Sequence, residues 1–326
     1  ETIAGDPDRA YGFVVTPEDG VAEVFYTVAR GLGTQNGGVI ALIYARAAVV
    51  LRPDHSDAIL IAAEMLEADG QLQLAAETYR TVPDDDPLSL AAEIGRANAL
   101  FALGREDTAV EVLEQLARDY PDLATVHATL ADTLRRMERY ADAIAPYTRA
   151  LELSDTTQET TWFLFYSRAI AYEREDLWDE AEADFRMALE LNPEQPQVLN
   201  YLGYSLVEQR RNLDEALDMI ERAVAAEPRS GYIVDSLGWV LYRLGRFEEA
   251  VEPMERAVAL VPTDPIINDH LGDVYWMVGR EREAEFQWQR ALSFDPEPAD
   301  AERIRLKLEI GLDAVLEEEG GVGAIE

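Results

Sequence analysis

His55, His127 and His270 are the only imidazoles in this 326-residue chain, and there is no cysteine. None of the three stands in an H-E-x-x-H frame or near a second ligand type, so a shared metal site is not expected. His55 and His127 read as polar surface residues, and His270 as a residue facing a groove. The 64 Asp and Glu residues make carboxylate pairs by number alone, and no pair is set apart for acid–base work. Gly31, Gly33, Gly37 and Gly38 lack the lysine and the spacing of a phosphate loop and read as a long turn. Asp84-Asp85-Asp86 lacks the alternating frame of a calcium loop and reads as a solvated turn. No catalytic residue, cofactor or metal is expected.

The charge balance, 28 Lys and Arg against 64 Asp and Glu, gives −36 at pH 7. That field opposes binding to phosphate backbones and to anionic membrane surfaces, so nucleic acid is excluded as a partner class. Lys307 is the single lysine. Without cysteine, neither a disulfide framework nor a thiolate site can form. No apolar run approaches the roughly 18 residues of a membrane span, and the first residue is Glu1, so any signal or anchor is expected upstream.

The elements that must position any site repeat along the chain. Breakers fall at Pro53, Pro87, Pro121, Asp155, Pro193, Pro228, Pro262 and Pro296, in steps of 34, 34, 34, 38, 35, 34 and 34. Between them a small residue recurs as Ala41, Ala75, Ala109, Ala143, Ala181, Ala216, Ala250 and Ala284. Small residues at that register allow two helices to approach closely. Gly70, Gly104, Gly245 and Gly279 mark the turn inside a hairpin, where a left-handed residue ends the first helix. Asp107, Asp179, Asp214 and Glu248 are expected to cap the second. Pro146 and Pro253, near the start of their helices, predict a slight bend.

This pattern, W-x2-L-G-x2-Y…A-x3-F…P at a 34-residue period, resembles the tetratricopeptide repeat. Leu202-Gly203, Leu237-Gly238 and Leu271-Gly272 carry the Leu-Gly pair, Tyr275 the tyrosine, and Ala181/Phe185 and Ala143/Tyr147 the second-helix pair. The resemblance implies an all-α, right-handed superhelical solenoid of about eight hairpins. They are assigned to 22–55, 56–89, 90–123, 124–157, 162–195, 196–230, 231–264 and 265–298. Residues 1–20 read as a linker or the end of an upstream repeat, 299–318 as one capping helix on the stripe Ala301, Ile304, Leu308, Leu312 and Val315, and 319–326 as a disordered tail.

In such an architecture the first helices line a concave groove. The groove positions of the last four repeats are Phe163, Tyr166, Tyr201, Tyr204, Tyr232, Trp239, Tyr242 and Trp276, whereas those of repeats two to four carry one aromatic, Phe101. Asp235, Asp269 and His270 accompany them, with Asn200, Ser236 and Arg243 also polar. Amphipathic rings beside hydrogen-bonding groups suit a protein or peptide partner. The stretches LNYLGYSL, DSLGWVLYRLGR and DHLGDVYW resemble the last repeats of bacterial envelope tetratricopeptide proteins, some of them lipoprotein adaptors that deliver cell-wall hydrolases to C-terminal-processing proteases. That resemblance implies a non-enzymatic scaffold at the periplasm or outer membrane. A cytoplasmic location and a chaperone-like assembly role are the alternatives.

Overall fold

The computed structural model describes residues 14–33 and 38–319, and their regular structure is entirely helical. The helices come in consecutive pairs: α1 (Pro17–Gly33) and α2 (Gly38–Leu51), α3 (Ser56–Ala68) and α4 (Leu72–Tyr79), α5 (Ser89–Ala102) and α6 (Glu106–Asp119), α7 (Ala124–Arg136) and α8 (Tyr140–Leu153), α9 (Trp162–Arg174) and α10 (Trp178–Leu191). They continue with α11 (Pro196–Glu208) and α12 (Leu213–Ala226), α13 (Gly231–Arg243) and α14 (Phe247–Leu260), α15 (Pro265–Met277) and α16 (Glu281–Ser293), and end with α17 (Pro298–Ile310) and α18 (Leu312–Glu318). The chain forms two compact bodies. One contains the residues up to Thr156 and Ser167–Ala181; the other contains Thr157–Tyr166 and everything from Glu182 on.

The alanine column is buried in all eight hairpins, from Ala41 to Ala284. Four residues on, each second helix places a buried side chain against the first: Ile220 lies across from Gly203, Met254 across from Gly238 and Trp288 across from Gly272. A Cβ on any of these glycines would fall inside its neighbour, so the glycine is what lets the larger residue in. The turns close as expected, with Gly70, Gly104, Gly245 and Gly279 at φ between 72° and 77°. Where glycine is absent, Glu138, Asp176 and Arg210 take the same left-handed conformation. That conformation costs an ordinary L-residue roughly 1–2 kcal/mol.

Several expectations change. Helix α1 already starts at Pro17, inside the stretch assigned to a linker, because Thr16 and Asp19 cap it reciprocally: Asp19 N donates to Thr16 Oγ1 at 3.1 Å and Thr16 N to Asp19 Oδ2 at 2.9 Å. Residues 1–13, 34–37 of the long turn and 320–326 of the tail lie outside the described residues. Asp107, Asp214 and Glu248 are one residue inside their helices and make no side-chain cap; the N-cap positions hold Arg105, Asn212 and Arg246. Asp179 likewise lies in the first turn of α10. These acids act through the helix dipole instead. His55 is 5 % exposed rather than a surface residue, because it is the N-cap of α3 and its ring packs on Tyr26 at 5.0 Å. The terminal cap is two helices, broken where Gly311 adopts φ 84°. Glu319 is held by Arg303 at 2.8 Å and is not part of a free tail. Helices α8 and α14 run unbroken through Pro146 and Pro253.

Position also matters within the array. One register position of the repeat is buried as Ala58, Ala92, Val126, Leu164, Val198, Ile233, Ile267 and, in the cap, Ala301, yet its counterpart in α1, Val24, is 58 % exposed.

Three substitutions test the hairpin geometry in urea-denaturation midpoints. Gly272→Ala should cost about 1–3 kcal/mol, since the rigid Trp288 ring cannot yield, whereas Gly238→Ala should cost less because Met254 is flexible. Glu138→Gly should stabilise by about 1 kcal/mol through its left-handed backbone; a loss of stability there would refute the strain argument.

Candidate functional site

In the C-terminal body the first helices α11, α13 and α15 lie side by side, with α17 following as the cap. Helix α13 turns Val234, Leu241 and Tyr242 into the core, which leaves Asp235 and Trp239 on an adjoining stripe at helical spacing. His270 on α15 comes 35 residues after Asp235, one more than the repeat period, so the next helix brings its ring against that stripe.

The ring of His270 stacks on Trp239 at 4.0 Å and 15°, and Tyr242 stacks on Trp239 at 4.8 Å and 8°. The indole is therefore held between two rings, and its Nε1 donates to Glu208 Oε1 at 2.7 Å. Arg243 also reaches Glu208 Oε1, at 3.4 Å. Asp235 Oδ2 lies 3.0 Å from His270 Nδ1. Burial alone would push the imidazole below its ordinary value, but Asp235, Asp269 and Asp273 outweigh burial and carry it above that value. Glu208, Trp239, Arg243 and His270 border a cleft of about 360 Å³ among α11, α13, α15 and α17, with Tyr204, Ile266, Asp300 and Ile304 in its walls.

Beneath the cleft, Lys307 of the cap is 1 % exposed and donates to Asp269 at 2.8 Å and to Asp273 at 2.6 Å. Asp273 also accepts from Trp288 Nε1 at 2.9 Å, tying the cation to the core indole of α16. Arg303, one turn earlier on α17, stands 3.8 Å from Asp269 and 3.7 Å from Asp273. Burial, then the neighbouring Asp273, raise the Asp269 carboxyl to about 6 despite Lys307.

The expected groove residues divide into those that are open, those that are shared and those that are covered. Phe163 and Tyr232 are 47 % and 59 % exposed. Tyr166 and Tyr201 meet edge to face at 6.0 Å, and both pack on Phe185. Tyr204, Trp239, Asp269 and His270 line the cleft. Tyr242 is 3 % exposed and supports Trp239 from below, and burial raises its phenol far above the ordinary value. Trp276 lies against Trp288 at 5.4 Å and donates to Asp313 of α18 at 3.2 Å, so the cap partly covers it. Glu208, Asp273, Arg303 and Lys307 were not anticipated. A sole lysine in an arginine-rich chain was the one signal for the last.

Among the described residues no group of three His, Asp or Glu side chains is arranged to hold a metal ion, and no helix is long and apolar enough to cross a membrane. Paired helices at a 34-residue period, with small residues at their crossings, define a helical-hairpin repeat protein. Tetratricopeptide repeat family models match residues 66–133, 166–228 and 202–265, together just over half of the chain, and the chain belongs to that family. A TPR repeat-containing protein of Pseudomonas aeruginosa is 27 % identical over 158 residues, 48 % of this chain and 26 % of the relative. The chain thus spans about a quarter of that relative's length. Among solved structures, a chain of the APC/C hetero-tetramer Cut9-Hcn1 superposes with TM-score 0.62 at 15 % identity, covering 93 % of this chain and 58 % of its own. A tetratricopeptide repeat protein from Parabacteroides merdae gives 0.55 at 15 % identity, covering 90 % of this chain and 99 % of its own. At these identities the two share the fold.

Removing one partner of a buried ion pair strands the others, so Lys307→Met should cost about 3–5 kcal/mol in urea unfolding; a cost below about 1 kcal/mol would show that the cap does not depend on the cation. Asp269 and His270 both bind their protons more tightly folded than unfolded. The contribution of Asp269 is complete below its ordinary 3.8 and lost as pH rises through about 6. That of His270 is complete below 6.5 and lost as pH rises through its raised value. Urea midpoints should therefore fall between pH 4 and pH 8, and the double variant Asp269→Asn/His270→Gln should show a shallower fall; an unchanged slope would contradict this assignment.

Proposed function

We propose that the protein is a non-enzymatic adaptor that holds a protein or peptide partner against the first helices of its last four repeats. The cleft among α11, α13, α15 and α17 carries this reading, because a solvent-facing hollow with aromatic, apolar and hydrogen-bonding walls suits an extended chain. The paired indole, imidazole and phenol stand in fixed positions, so little side-chain entropy remains to be lost on binding.

In the finer form of the proposal the protein works at the periplasm or outer membrane and brings a cell-wall hydrolase to a processing protease. The likeness of its last three repeats to envelope adaptors and the acidic charge, which disfavours nucleic acid, support it. A chaperone-like role in assembling secretion or outer-membrane components is the second reading, supported by large apolar side chains that stand open on α13 and α15, Tyr232 and Ile266.

A photo-crosslinking residue placed at Tyr232 or Ile266, with Phe286 of α16 as an exposed control away from the cleft, separates these outcomes in envelope extracts. The adaptor reading expects one stable crosslinked partner complex at the first two positions and none at Phe286, with a protease in the recovered complex. A changing set of clients would favour the chaperone role. Equal crosslinking at all three positions would place binding elsewhere.

A further inference from the structure

The cleft has a surplus of acceptors and of negative charge. Glu208 receives both of its donors, Trp239 Nε1 and Arg243, on Oε1, which leaves Oε2 open. Asp300, in the first turn of α17, borders the same hollow and forms no ion pair among the described residues. His270 is 8 % exposed and lines the cleft; its Nδ1 is engaged by Asp235, while Nε2 has no partner among the described residues.

The local cations are committed. Arg303 directs Nε and one terminal nitrogen to Glu319 and the other toward Asp269 and Asp273. Lys307 is buried on the same two aspartates, and Arg243 is matched by Glu208. Against these three cations stand five carboxylates, Glu208, Asp235, Asp269, Asp273 and Asp300, so two negative charges are uncompensated with His270 neutral and one remains even with His270 protonated. A carboxylate with a free oxygen in a half-enclosed site is completed by a donor that is also a cation. Ile266 and Ile304 add an apolar wall against which a long aliphatic stem can lie.

We propose that this cleft recognises an arginine or lysine side chain in an extended peptide segment, with Glu208 and Asp300 receiving the cation and Ile266 and Ile304 receiving its stem and an apolar neighbour. Trp239 contributes its edge, because both of its faces are covered by His270 and Tyr242. An acidic peptide or a C-terminal carboxylate would meet Glu208 and Asp300 with no free cation to offset them. This inference rests on the scaffold reading above and specifies what that site selects.

The test is selection of a random dodecapeptide display library on the whole purified chain, followed by titration of synthetic copies of the selected peptides. Cleft dependence is read with Ile266→Ser, an exposed position, and the charge requirement with Glu208→Gln/Asp300→Asn; Asp84→Asn/Asp85→Asn controls for general attraction to an acidic surface. The expected result is enrichment of basic residues beside apolar ones, an affinity loss of about tenfold or more in the Glu208→Gln/Asp300→Asn variant, and little change in the control. Unchanged melting of each variant shows that folding is intact. Peptides that depend on Ile266 but carry no basic residue would overturn the cation inference and leave the scaffold reading standing. Basic peptides that bind all variants alike would overturn it as surface attraction, and selection of nothing that depends on Ile266 would overturn both.

Discussion

Two helices can cross at close range only where one of them offers a methyl group or less, and every hairpin of this protein obeys that limit. The alanine column fixes the crossing within each pair, and the glycines opposite Ile220, Met254 and Trp288 allow bulky residues to fill the space above it. Because a buried alanine recurs at the same register each time, the face left over on each first helix recurs with it. What distinguishes the repeats is written on that leftover face, and in the C-terminal body it carries rings and carboxylates.

The same constraint explains why the site is rigid. Trp239 stands between His270 and Tyr242 because consecutive first helices present equivalent stripes offset by a single residue. The cap then finishes both core and site together. Lys307 takes a fully buried position that a compact ammonium with three donors can fill, linking two carboxylates on α15, one of which also receives the indole of Trp288. A cation buried this deeply is of weak net benefit to stability, yet it ties the cap to one position on α15, and so fixes the wall that α17 gives the cleft.

The repeat frame was legible because it is written in the commonest physical signals, a period and a small residue at each crossing. The groove stripe was legible as a set of residue types. Which of its rings remain open was not, since that depends on partners a whole repeat away. Tyr242 reads like Trp239 by spacing, but Trp239 covers it, and Trp276 disappears partly beneath α18, whose separation from α17 follows from one glycine, Gly311, in a stripe that otherwise reads as continuous. The acids after each turn read as caps because their type suits a cap, and only the backbone shows that they fall two residues past the N-cap. His55 reads as a surface residue for a similar reason: its burial at the N-cap of α3 comes from Tyr26, two helices earlier on α1.

If partners are held by the first helices of the C-terminal body, hydrogen exchange measured with and without a captured partner should show added protection confined to α11, α13, α15 and α17, within Pro196–Glu208, Gly231–Arg243, Pro265–Met277 and Pro298–Ile310. Protection confined instead to α12, α14 and α16, with the first helices unchanged, would contradict it.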